Sequence, residues 1–203
     1  LAFWINAYNA FTIQSILDHY PIKSWTIKGL LVPRNSIIQI PGVWKKLKWE
    51  VAGQNLTLDH IEHGLLRPVF REPRIHFAIV CASIGCPDLR SEAYTFDKLE
   101  QQLKDQTRRF LLNPEKGVRF DYEGRKICVS QLFRWFSEDF PGKEHATPEF
   151  GSRPVKERNI LQFISGYLTD PEQQTLISDP EVDLDYLPYD WTLNELPASD
   201  VPA

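Results

Sequence analysis

Methionine is absent from the 203 residues, and cysteine occurs only three times. With no initiator methionine, and with LAFWINAYNA already inside a helical pattern that lacks a cap, the natural N-terminus is expected to lie before Leu1. A signal peptide in front of it stays open, and so does the compartment. Three cysteines are too few and too oddly numbered for a disulfide framework, so they read as thiols, with one Cys81 to Cys86 bridge left open. No apolar run reaches the length that spans a bilayer. Basic residues are scattered, with 23 Lys and Arg against 27 Asp and Glu; no basic stripe forms, which argues against nucleic acid as a partner. Internal repeats and low-complexity linkers are also missing.

What is present suffices for a core: 42% of the residues are hydrophobic and 12% aromatic. The expectation is one domain over 1–203, its 180–203 tail too aromatic to be disordered and packed on the body. Nothing in the sequence asks for a cofactor.

The stretch RIHFAIVCASIGCPDLR, Arg74 to Arg90, draws the attention first. Ile75 to Val80 has the length and apolarity of a strand interrupted by His76, and it leads into a small-residue loop carrying Cys81 and Cys86. Period-two alternation puts His76 and Cys81 on opposite faces. Cys86 is freer, because Ala82 to Gly85 can fold back, and Pro87 suits the start of a helical turn whose N-terminus would favour a thiolate. On this reading Cys86 is the nucleophile candidate and Cys81 the core residue.

Along the rest of the chain, residues 1 to 20 form a helix apolar nearly all round and therefore central, ended by Pro21, with Asn6 and Asn9 needing hydrogen-bond partners. Those amides either tie the helix to neighbouring backbone or line a site. An irregular stretch from Ile22 to Gly42 includes a short strand at Ile37 to Ile40. Val43 to Thr57 reads as a hairpin turning at AGQN, and Thr57 caps a helix, LDHIEHGLLR. Glu62 falls in the apolar stripe of that helix, Leu58, Ile61, Leu65 and Leu66. A carboxylate aimed at a core must pair or be protonated; its partner is either an arginine such as Arg67 or Arg74, or a histidine that it orients. A helix from Phe96 to about Leu112 follows, then a hairpin of GVRFDY and KICV with Cys128 in its core. SQLFRWFSEDF is a short helix with Leu132, Trp135 and Phe136 inward. An exposed loop around His145 and two further helices, VKERNILQFISGYL and one starting at Pro171, complete the order.

FWINAYNA, LDHIEHGLLR, RIHFAIVCASIGCPDLR and LDYLPYDWTLNE, in that order, resemble the family known as domain of unknown function 547, over Leu1 to about Glu195. The resemblance implies an α+β fold related to papain-like and transglutaminase-like cysteine enzymes, with helices on a small, mostly antiparallel sheet. It also implies a Cys, His and Glu triad, with glutathione-like γ-glutamyl peptides as ligands. Carried over motif by motif, the triad falls on Cys86, with Cys81 as the alternative nucleophile, His76 and Glu62.

Those residue types suit acyl transfer or amide hydrolysis on a small peptide through a thioester. His76 holds Cys86 as thiolate and protonates the leaving amine, and Glu62 accepts from the other imidazole nitrogen. Backbone N–H groups from Ser83 to Cys86, with Asn6 or Asn9, are the candidates for an oxyanion site, and Arg67 and Arg90 for a substrate carboxylate. Two other classes stand beside this one. The same residues can pack a non-catalytic module that binds a protein partner, or His60, His63, His76 and the two cysteines can hold zinc, although the C-x4-C spacing is long for that metal.

Overall fold

The computed structural model describes residues 1–22, 32–140 and 150–195. The expected loop around His145, and part of the irregular stretch after Ile22, lie outside the described residues. Within them the chain forms helices and two small sheets, an α+β arrangement, and it divides into two compact units. Unit 1 comprises Leu1–Phe70, Ala78–Leu99 and the segment from Asp190; unit 2 comprises Arg71–Phe77 and Glu100–Tyr189. No helix among the described residues is long and apolar enough to cross a membrane.

In unit 1, α1 (Ala2–His19) buries Ile5, Tyr8, Asn9, Thr12 and Ser15, a stripe at helical spacing. The expectation that it is covered all round is corrected: Phe3, Ile13 and Leu17 are exposed, Leu17 by 64%. The stretch expected as a strand at Ile37 to Ile40 is a short 3₁₀ turn, Ile37–Gln39, in which the Ser36 side chain accepts from the Ile38 N–H. Strands β1 (Trp49–Val51) and β2 (Gln54–Leu56) pair antiparallel around Ala52 and Gly53, both at positive φ, the conformation a two-residue hairpin turn requires.

Thr57 Oγ1 accepts from the His60 N–H at 3.1 Å and so opens the following helix. That helix continues as a π-helix over His60–Phe70 with Pro68 inside it. Proline has no N–H to donate and its ring crowds the carbonyl one turn back, so a wider register accommodates it where an α-helix would break. The inward stripe is Leu58, Ile61, Glu62 and Leu66, and α1 packs against this helix.

In unit 2, Val118–Asp121 (β3) and Lys126–Val129 (β4) form a hairpin, and Asp183–Tyr186 (β5) adds parallel to β4. Helices α2 (Leu99–Leu111), α3 (Gln131–Trp135), α4 (Val155–Ser165) and α5 (Pro171–Ser178) complete the unit. Helix α2 begins three residues later than the sequence pattern indicates, leaving Phe96 outside it and 95% exposed. In α3 the buried aromatic is Phe133; Trp135, expected inward, is 45% exposed and packs with its ring tilted against Tyr189.

The core of unit 2 is a cluster of phenylalanines. Phe133 and Phe140 have ring centroids 4.8 Å apart, Phe140 and Phe163 5.0 Å, and Phe77 and Phe133 5.8 Å. Tilted and edge-on pairs of this kind add to the area they bury. Phe133→Ala is therefore expected to cost about 3–5 kcal/mol of unfolding free energy, whereas Phe96→Ala should change it by no more than about 0.5 kcal/mol. Denaturant unfolding of the two variants checks both values.

Candidate functional site

Residues 75–80 are buried without exception, yet they do not form the expected strand. A 3₁₀ helix spans Pro73–Phe77. Arg74 fixes it: the guanidinium forks onto Glu72 at 2.7–2.8 Å and onto Glu100 of α2 at 2.6–2.8 Å, and these bonds hold it charged. Two residues on, His76 is 2% exposed, stacked on Phe136 with ring centroids 4.0 Å apart. Its Nε2 lies 2.7 Å from Asp139 Oδ2, and its Nδ1 has no hydrogen-bond partner among the described residues. Asp139 thus holds the place beside His76 that the sequence reading reserved for Glu62, and these contacts lie within unit 2.

Glu62 belongs to unit 1, 8% exposed, and the partner the structure gives it is Tyr8, whose hydroxyl donates to Oε2 at 3.2 Å. Burial pushes the Tyr8 hydroxyl well above its ordinary value, and negative charge on Glu62, Cys81 and Cys86 pushes it further. The four groups share one electrostatic neighbourhood. Tyr8 was legible only as a buried aromatic with a polar tip that needs a partner; nothing in the sequence pairs it with a residue 54 positions away.

The loop from Cys81 to Cys86 begins with Ala82 at φ +58°, a left-handed residue that turns the chain back on itself. Cys86 N–H donates to the Ser83 carbonyl at 3.0 Å, closing a turn. The Cys81 N–H donates to Cys86 Sγ at 2.9 Å, and Cys81 Sγ lies 3.1 Å from Ser83 Oγ. Cys86 is 3% exposed and Cys81 is the more accessible of the two. With no strand before the loop and no helix after Pro87, neither alternation nor a helix dipole separates the cysteines; the N–H···S contact does.

The loop is held from two sides. Asn9 clamps its approach, donating to the Ala78 carbonyl and accepting from the Val80 N–H, both at 2.9 Å. From the other side come residues of the C-terminal segment: Ile84 N–H donates to the Thr192 carbonyl, Gly85 N–H to Asp190 and Asn194 N–H to the Ala82 carbonyl, at 2.8–2.9 Å. Asn6 makes a second clamp, on the N–H and carbonyl of Tyr94. Both amides named as oxyanion candidates thus hold backbone, and the N–H groups of Ile84, Gly85 and Cys86 already have acceptors.

Ser83 is buried and bridges to Leu193; Arg67 reaches the His63 ring at 2.9 Å; Arg90 donates to Glu92 and lies over the Tyr94 ring. The histidines and cysteines weighed as zinc ligands do not converge: among the described residues no group of three or more His, Cys, Asp or Glu could hold a metal ion.

Tyr8 supplies a test of this geometry. The unfolded phenol ionises near pH 10 and the folded one higher, so above about pH 10 the native state binds the extra proton and stability falls as pH rises. Replacing Tyr8 by Phe removes that contribution. Unfolding free energies measured from pH 8 to 11 should show a shallower alkaline decline in the variant than in the parent protein.

No curated protein and no solved structure matches the chain. A family model does, over residues 1–111, which takes in α1, the π-helix, the cysteine loop and the whole of α2. The chain belongs to the family described as Protein of unknown function, DUF547.

Proposed function

We propose that the protein is a cysteine enzyme that transfers or hydrolyses an acyl group of a small peptide, with γ-glutamyl compounds such as glutathione as the substrate class and a relation to papain-like and transglutaminase-like folds. The observation that carries the reading is the backbone N–H of Cys81 donating to Cys86 Sγ inside the neighbourhood of Tyr8 and Glu62. A hydrogen bond to sulfur favours thiolate over thiol, and the thiolate is the nucleophile.

In the reaction, Cys86 sulfur adds to the amide carbonyl, the C–N bond breaks, and the amine leaves with a proton. The resulting thioester is then taken by water or by a second amine. His76 is proposed as the base and Cys81 as the alternative nucleophile. A histidine held at one nitrogen by a carboxylate has its tautomer set, and Asp139 gives His76 that hold. The motifs around Glu62, His76 and the cysteine loop, which resemble those carrying the family's proposed triad, support the same reading.

A second reading, a non-catalytic binding module, is favoured by one observation: of the loop N–H groups expected to meet an oxyanion, those of Ile84, Gly85 and Cys86 are already bonded within the protein.

Turnover of γ-glutamyl and peptide amides separates the two readings. Cys86→Ala should lower kcat by at least about a thousandfold, while Cys128→Ala leaves it within twofold. In His76→Ala kcat should fall by about a hundredfold or more. Undiminished turnover in Cys86→Ala would falsify the assignment of the nucleophile, and absence of turnover of any such amide by the intact protein favours the binding module.

A further inference from the structure

One nucleophile is all that acyl transfer needs, and the loop carries two cysteines. We propose that Cys81 and Cys86 form an oxidative modification site, in which a hydroperoxide converts the two thiols into an intramolecular disulfide. Two cysteines can be bridged when their Cα atoms lie within about 7 Å and their side chains face each other. A backbone N–H of Cys81 only 2.9 Å from Cys86 Sγ brings that sulfur against the backbone of the other cysteine. The left-handed Ala82 and the Ser83-to-Cys86 turn produce this approach, and Cys81 Sγ, 3.1 Å from Ser83 Oγ, leaves that contact when the bridge closes. Hydrogen bonds with residues 190–194 hold the backbone of Ala82, Ile84 and Gly85. The ring closed is also short, which keeps the entropic cost of closure low.

The difference between the two environments orders the steps. Cys86, whose sulfur accepts the N–H, attacks a peroxide oxygen: the O–O bond breaks, Cys86 becomes the sulfenic acid, and with hydrogen peroxide one water leaves. Cys81, the more accessible thiol, then attacks the Cys86 sulfur, the S–O bond breaks, and a second water carries away the thiol proton. Two thiols and one peroxide thus give one disulfide and two waters. Cys128, buried in β4 of unit 2, takes no part.

The order of steps takes its thiolate from the function proposed above, whereas the bridge itself rests on the geometry of the loop. Reduced full-length chain is treated with hydrogen peroxide and digested for mass spectrometry. The expected result is a peptide containing Cys81 and Cys86 that has lost two hydrogens, recovers them with a thiol reductant, and accompanies an unmodified Cys128. In Cys81→Ser, dimedone should instead trap Cys86 as the sulfenic acid. If Cys86 of the unsubstituted chain passes to sulfinic acid, or both thiols stay reduced in excess peroxide, the inference is overturned. Should the bridge form in a protein with no acyl-transfer activity, this inference stands and the enzymatic reading falls.

Discussion

The shape of the Cys81–Cys86 loop depends on how its backbone hydrogen bonds are met. A buried N–H or carbonyl without a partner costs about 1–3 kcal/mol, so a loop buried this deeply survives only if every group is assigned an acceptor or a donor. Here they come from far along the chain: Asn9 secures residues 78 and 80, and residues 190 to 194 secure 82, 84 and 85. Residues 190–194 are in that sense part of the cysteine loop, which gives the DWTLN segment a structural reason for its place in the sequence.

The N–H groups of Ile84, Gly85 and Cys86 meet protein carbonyls, and that of Cys81 is directed at the Cys86 sulfur. It competes with Glu62, whose negative charge opposes a second negative charge on the thiols. Tyr8, kept protonated by burial, donates to that carboxylate and spreads its charge. Whether sulfur is held as thiolate follows from the balance of an N–H donor against a carboxylate already hydrogen-bonded elsewhere.

Much of the fold was legible because it rests on local rules. Helical spacing outlined α1 and α2, Thr57 announced its helix, and the AGQN turn and the GVRFDY and KICV pair marked the two antiparallel hairpins. The stretch from Ile75 to Val80 was not legible for a definite reason. A segment buried on all sides shows neither a period of two nor one of 3.6, and the residue that decides its form, Arg74, acts through Glu100 in another helix. The π register is set by Pro68, which a stripe count passes over. Site residues divide in the same way: Glu62 was conspicuous because it interrupts an apolar stripe, whereas its partner Tyr8 and the Asp139 beside His76 are joined only through the tertiary fold.

The thiolate proposed at Cys86 rests on the N–H that Cys81 directs at its sulfur. Alkylation of Cys81 and Cys86, followed residue by residue with mass spectrometry across pH, tests it most directly. The account predicts that Cys86 titrates well below the ordinary thiol value of about 8.5 while Cys81 does not. Slow alkylation of Cys86 that rises only at alkaline pH, in step with an ordinary thiol, would contradict it.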